Sequence, residues 1–274
     1  MKSSRLCLTT LAMVLAVPSL LHAAISYPNY FRFEEGTTGT GGMGATPTTS
    51  NWILNSTNTS LNGTVTAAGI NYATGCPTAP GNLALKFAGR NNGYVTVGND
   101  LAFNLSENED NSIELFVRVD GVSGDGDPVN WILSKDYTSS NGWGLYWNAN
   151  TGKATFAIGN GGGSVTSSSS INDGAWHHIA LTHAASSATY VMYVDYAVTA
   201  TLTNYSNGAV SGGSLYIGAG YGWQTPRAFN GAMDEFRVTK SDLSVSQFIG
   251  YVPEPASLAL LALGGLALLR RRRN

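Results

Sequence analysis

The sequence predicts an all-β domain made of two packed antiparallel sheets or a closed barrel. Three observations lead there. From Tyr27 to Phe248 short apolar runs of period two recur, and no long stripe of period 3.6 interrupts them. Clusters of turn-forming residues separate those runs, at Gly36 to Gly44, Asn91 to Gly93, Gly121 to Pro128, Asn160 to Ser170 and Asn207 to Gly213. Charged residues make up only 12% of the chain while glycine is abundant at 33 residues, the balance of a turn-rich exported protein rather than a charge-rich, aromatic-poor disordered one. Roughly a dozen strands in a single domain must pair into layers. The absence of a fixed-period repeat argues against a propeller.

The N-terminus opens with Lys2 and Arg5, continues through an apolar run from Leu6 to Leu21 and reaches small residues at Ala23 and Ala24. That layout predicts a secretory signal peptide over residues 1–23, cleaved near Ala23. The run of about 16 residues falls short of the roughly 20 needed to span a bilayer. Cys7 lies within this segment, so only Cys76 remains in the body, and an internal disulfide is excluded.

Candidate strands follow in order over residues 24–250: Tyr30–Phe33, Leu83–Phe87, Tyr94–Val97, Ser112–Val119, Trp131–Ser134, Gly144–Trp147, Ala154–Ile158, Trp176–His183, Tyr190–Tyr196, Ser214–Ile217 and Phe229–Val238. In the fourth, Ile113, Leu115, Val117 and Val119 share one face, with Glu114 and Arg118 opposite. A short helical turn is expected over Ser241–Phe248, capped by Ser241 or Asp242.

The C-terminus, residues 251–274, reads Val252-Pro253-Glu254-Pro255, then apolar from Ala256 to Leu269, then Arg270, Arg271, Arg272 and Arg273. Fourteen apolar residues in a helix span about 21 Å, which snorkelling arginines extend. The arginines are expected to stay on the cytoplasmic side, placing the body outside. Setting aside the basic residues of both ends and Glu254 leaves 9 basic and 16 acidic residues, a body of net charge −7. Nucleic acid is therefore a poor partner.

These motifs resemble known families. The C-terminal segment resembles the PEP-CTERM sorting signal. The resemblance implies a Gram-negative host, an exosortase-type membrane protease as partner, a transient inner-membrane intermediate, and delivery to the cell surface or extracellular matrix. The body is similar to the laminin-G-like, concanavalin-type jelly roll. Tyr30 to Gly36, Leu85 to Gly89 with Tyr94 to Val97, Ser112 to Arg118, Asp173 to Ala180, Val191 to Asp195 and Phe229 to Val238 correspond to that family's strands in order. The resemblance selects an all-β, two-sheet antiparallel jelly-roll sandwich. Tyr196 departs from it, standing where the family has glycine after aspartate, so a longer hairpin or a different turn is expected there.

Candidate functional residues fall into three groups. The first is acidic. The resemblance implies that the first and last strands pair and that a structural calcium can lie near a carboxylate of the last strand. Asp234 is the expected ligand and Glu34 a second; a carboxylate pair in salt bridges with Arg32 or Arg237 is the alternative. Asp234 and Glu235, being adjacent, should leave opposite faces of their strand. The second group is His177, His178 and His183. The first and last lie six residues apart, roughly 20 Å along a strand, so a structural role outweighs metal ligation. The third is aromatic. Trp143, Tyr221 and Trp223 are candidate sugar-stacking residues, whereas Trp131, Trp147 and Trp176 fit core packing.

Catalytic residues are not expected. The chain has no alternating carboxylate strand of the glycosidase type, no nucleophile elbow and no phosphate loop. The reading is a non-enzymatic envelope or matrix protein that binds or scaffolds, with polysaccharide as ligand. A glycan-degrading enzyme of the same fold and a protein–protein adhesion module are the alternatives.

Overall fold

The computed structural model describes residues 29–34, 52–53, 61–66, 69–81, 83–90, 93–124, 126–136, 142–159, 163–205, 212–220 and 227–252. The signal segment, Tyr221, Trp223, Pro253, Glu254, Pro255 and Arg270 to Arg273 lie outside them. No helix among the described residues is long and apolar enough to cross a membrane.

Sixteen strands form two antiparallel sheets among the described residues. Sheet A runs β14 (Ala197–Leu202), β13 (Thr189–Val194), β12 (Trp176–Ala184), β7 (Asn111–Val119), β16 (Asn230–Thr239), β5 (Leu83–Ala88) and β4 (Ile70–Thr74), with β1 (Asn29–Phe31) also paired to β16. Sheet B runs β11 (Gly163–Ser170), β10 (Lys153–Ile158), β9 (Trp143–Asn148), β8 (Val129–Lys135), β15 (Leu215–Ile217), β6 (Tyr94–Val97), β3 (Gly63–Thr66) and β2 (Trp52–Ile53). The sandwich is thus the expected all-β one, with the first and last strands paired.

The core lies between the sheets. Ile113, Leu115, Val117 and Val119 of β7 meet Trp143, Leu145 and Trp147 of β9 in one continuous apolar cluster. Burying each such side chain contributes roughly 1.5–3 kcal/mol. Two turn-rich stretches differ from expectation. Gly163–Ser170 is a strand rather than a loop, because Val165 and Ser167 turn inward while their serine and threonine neighbours face water. The helical turn is shorter, Val245–Gln247, and Ser244 caps it, its N–H donating to Gln247 Oε1 at 2.9 Å.

The hairpin between β13 and β14 keeps a two-residue turn despite Tyr196. Asp195 and Tyr196 both adopt left-handed backbone, at φ 50° and 66°. Two such residues make the turn whose twist matches paired strands. Tyr196 bears that strain because its ring stacks on His178 with centroids 4.6 Å apart and its hydroxyl donates to Ile249 O at 3.0 Å.

Residues 241–252 fold back over the outer face of sheet A as a strap. Leu243 and Phe248 pack on Ala180, and Ile249 packs on Phe116 and Cys76. Beneath the strap, Glu114 is fully buried and fully engaged. It accepts from Arg237 Nε, from Ile249 N at 2.8 Å and shares a hydrogen bond with His178 Nε2 at 3.0 Å. A buried carboxylate is tolerable when several donors compensate it in this way.

Candidate functional site

The acidic site arises from a bulge. Asp234 pairs with Phe116 but Arg237 pairs with Glu114, so one extra residue sits in β16. Glu235 takes it up in left-handed backbone, φ 52°. Phe236 can then face the core, stacked on Phe31 at 5.6 Å, while Arg237 faces outward to Glu114. A bulge re-aims side chains and breaks the alternation. Asp234 and Glu235 therefore do not leave opposite faces, correcting the alternation argument: their carboxylates converge with that of Glu34.

One ligand oxygen from each of Glu34, Asp234 and Glu235 lies within 4.8 Å of the others. The group occupies the gap where β1 ends and β5 begins along the same side of β16. Phe33, left-handed at φ 60°, turns the chain so that Glu34 Oε1 accepts from Leu83 N at 2.9 Å. Asp234 Oδ2 accepts from Cys76 N at 2.9 Å, while its Oδ1 is buried without a hydrogen-bond partner. Glu235 accepts from the Tyr30 hydroxyl and pairs with Arg32 at 3.4 Å.

Both buried carboxyls are perturbed. Burial pushes Asp234 up to about 7, helped by the nearby charge of Glu34, and burial pushes Glu235 up to about 8 against the opposing field of Arg237. Two left-handed non-glycine residues beside three converging carboxylates, one with an orphaned oxygen, fit a hard cation that takes oxygen ligands. The expected pair, Asp234 and Glu34, is brought together. Glu235 joins them because of the bulge, which strict alternation along the sequence conceals.

The histidines serve structure. His177 sits between Asp195 Oδ2 at 2.8 Å and Asp173 Oδ1 at 3.0 Å, and these carboxylates hold its imidazolium up to about 9. His178 belongs to the Glu114 network, and His183 stacks on Tyr190 at 4.2 Å. None of the three joins the carboxylate group.

Trp143 is not a surface residue. It is 0% exposed, packs in the main core and donates through Nε1 to Phe103 O at 2.7 Å. Its ring offers no face to a ligand, which corrects the expectation. Trp147 shares its inward face, and Trp176 lies under Arg118, 5.3 Å from the ring centroid.

A different aromatic set occupies the outer face of sheet B. Val95 and Val97 point into the core, which sends Tyr94 and Thr96 outward. Leu215 and Ile217 do the same for Tyr216, and Leu145 and Trp147 for Tyr146. Trp131, beside an irregularity in β8, is buried beneath this face at 3% exposure, in keeping with its expected packing role. Its indole lies over Gly144, where a Cβ would overlap the ring, and close to Gly220, whose Cβ would stand 2.6 Å from Cδ1. Tyr94 meets Tyr216 edge-on at 5.8 Å, and Trp131 meets Tyr146 edge-on at 5.1 Å. Thr155 and Thr166 continue the same face, their hydroxyls hydrogen-bonded at 2.9 Å.

Two face-to-face antiparallel sheets, with the last strand inside one, define a concanavalin-type sandwich. The chain belongs to the concanavalin A-like lectin/glucanases superfamily, whose family model matches residues 89–247. Residues 252–273 match the PEP-CTERM protein-sorting motif, which implies export, processing by an exosortase and sorting to the cell surface.

Among curated proteins, the chain is 30% identical over 130 residues to Sushi, von Willebrand factor type A, EGF and pentraxin domain-containing protein 1 of Rattus norvegicus. That match takes in 45% of this chain and 3% of the relative's length. The Mus musculus counterpart is 29% identical over 135 residues, again 3% of its length. Among solved structures, the binding domain of Paraclostridial Mosquitocidal Protein 1 is similar with TM-score 0.60 at 12% identity, over 81% of this chain and 50% of that one. Domain 4 of AbnA, a GH43 extracellular arabinanase from Geobacillus stearothermophilus solved with arabinotriose, is similar with TM-score 0.55 at 17% identity, over 81% and 96%. The binding domain of Botulinum Neurotoxin DC, solved with SialylT, gives 0.54 at 14% identity, over 81% and 49%. At these identities the likeness is one of fold.

Proposed function

We propose that the protein is a non-enzymatic carbohydrate-binding component of the cell envelope or extracellular matrix. In this reading the outer face of sheet B holds a polysaccharide. The observation that carries it is the aromatic face: the half-buried rings of Tyr94, Tyr216 and Tyr146 with Thr96 beside them, backed by the buried Trp131. Flat rings receive the apolar faces of sugars, and hydroxyls beside them orient the ring oxygens. The arabinotriose bound by the similar arabinanase domain supports the same ligand class.

A hydrolase reading is disfavoured by where the acids sit. Retaining hydrolysis needs two carboxyl groups about 5 Å apart on either side of the scissile bond. Asp234 and Glu235 are both 0% exposed and belong to sheet A, so they do not reach a glycan on sheet B. The test is a glycan array on the full chain, with and without calcium. Binding to a neutral polysaccharide that Tyr216→Ala removes supports the reading. Binding to a protein partner and to no glycan supports an adhesion module instead.

A second reading concerns the metal. Glu34, Asp234 and Glu235 would hold a calcium ion, whose charge would compensate the buried carboxylates and stiffen the junction of β1, β5 and β16. Calcium takes six to eight oxygens, so backbone carbonyls complete the set. Isothermal titration with calcium tests it, and a melting temperature indifferent to calcium and chelator contradicts it.

A further inference from the structure

The carboxylate group and the C-terminal strap touch through two routes. The first is the bulge. Glu235 sits in the left-handed conformation that sets the register of Arg237, and Arg237 donates to Glu114 and, through its other nitrogen, to Gln247 O at 2.5 Å. Glu114 in turn accepts from Ile249 N at 2.8 Å. The second route is the turn after β4. Cys76 N donates to Asp234, and the Cys76 side chain packs with Phe116 and Ile249. Two residues on, Thr78 O lies so near the strap that a Cβ built on Gly250 would stand 2.9 Å from it.

We propose that a divalent cation bound by Glu34, Asp234 and Glu235 fastens the strap to sheet A, so that cation binding and strap docking are coupled. The proposal rests on the metal reading above. Its independent support is Asp234 Oδ1, fully buried and without a hydrogen-bond partner, an acceptor the protein leaves for something else to fill.

The coupling follows from the contacts. Without a cation nothing joins the three converging carboxyl groups, and the bulge that aims two of them is free to open. Opening it lets Arg237 leave Glu114 and Gln247, and the strap loses its anchor. With a cation, Asp234 is fixed in place as a ligand, and with it the Cys76 N–H that donates to it at 2.9 Å. The turn that the strap leans on is then fixed as well. The strap ends at Val252, where the sorting-motif match begins. Cation loading would therefore set the order of the segment that joins the body to its sorting signal.

The test is hydrogen exchange read by mass spectrometry on the full chain in detergent, with calcium raised to millimolar levels and with chelator, beside calcium titration calorimetry. Calcium should bind, and exchange across residues 241–252 should slow by roughly 5- to 150-fold, the range of ordinary site-to-site coupling. Asp234→Asn should abolish both effects. Should that variant fail to fold, Glu34→Gln, at the half-buried member of the group, should weaken both. Calcium binding with unchanged strap exchange overturns the coupling and leaves the metal reading standing. Absence of calcium binding overturns both. Slowing that persists in both variants overturns the assignment to this site.

Discussion

Asp234→Asn makes the sharpest energetic prediction. The substitution keeps the shape and leaves a carbonyl oxygen to accept from Cys76 N, which now donates at 2.9 Å, but it cannot ionise. In the cation-free protein burial lifts the Asp234 carboxyl to about 7, from an ordinary value of 3.8. A carboxyl whose folded value lies above its unfolded one stabilises the fold at low pH, and that contribution is lost as pH rises toward the folded value. Between pH 4.5 and 8.5 the loss at Asp234 alone is about 3 kcal/mol, at 1.36 kcal/mol for each unit crossed. Urea unfolding in chelator at those two pH values should show wild type losing that much more stability than the variant. Glu235, lifted to about 8, leaves a slope at least as large in both proteins, which cancels in the comparison. Parallel stability curves for the two proteins would refute the burial argument.

Three further predictions follow from other contacts. The imidazolium of His177, held up to about 9 mainly by Asp195, stabilises the fold below about pH 6.5 and ceases to do so as pH rises through 9; Asp195→Asn should flatten that limb of a melting-temperature profile. Glu114→Gln leaves Arg237 and its buried guanidinium uncompensated and should cost about 3–5 kcal/mol in chemical denaturation, whereas Glu114→Gln with Arg237→Met should recover most of it. Gly144→Val drives a side chain into the Trp131 ring and should destabilise by about 1–3 kcal/mol, while Trp143→Phe, acting in the core, should leave glycan binding unchanged.

Alternation made the inner strands legible. The inward set Ile113, Leu115, Val117 and Val119 is read directly from period two, as is the shared face of Trp143 and Trp147. Alternation does not say which of two faces is the core, so it leaves Trp143 a candidate for ligand contact where the structure buries it. The site residue that escaped notice sits where a strand breaks its own period. Glu235 is hidden in this way by the bulge in β16. The serine-rich strand β11 was illegible for another reason: it is an edge strand that buries only Val165 and Ser167, too few apolar residues to announce it. Tyr196 shows that a residue unsuited to a tight turn can occupy one when contacts distant in sequence, to His178 and Ile249, compensate it.

The central claim is that sheet B binds a glycan through its aromatic outer face. The most direct measurement is titration of the full chain with the neutral polysaccharide that scores highest on the array, beside Tyr216→Ala and Tyr146→Ala at unchanged melting temperature. The account predicts that each substitution weakens binding by roughly tenfold or more, as loss of a stacking ring worth about 1.4 kcal/mol requires. Equal affinity in wild type and both variants would contradict it.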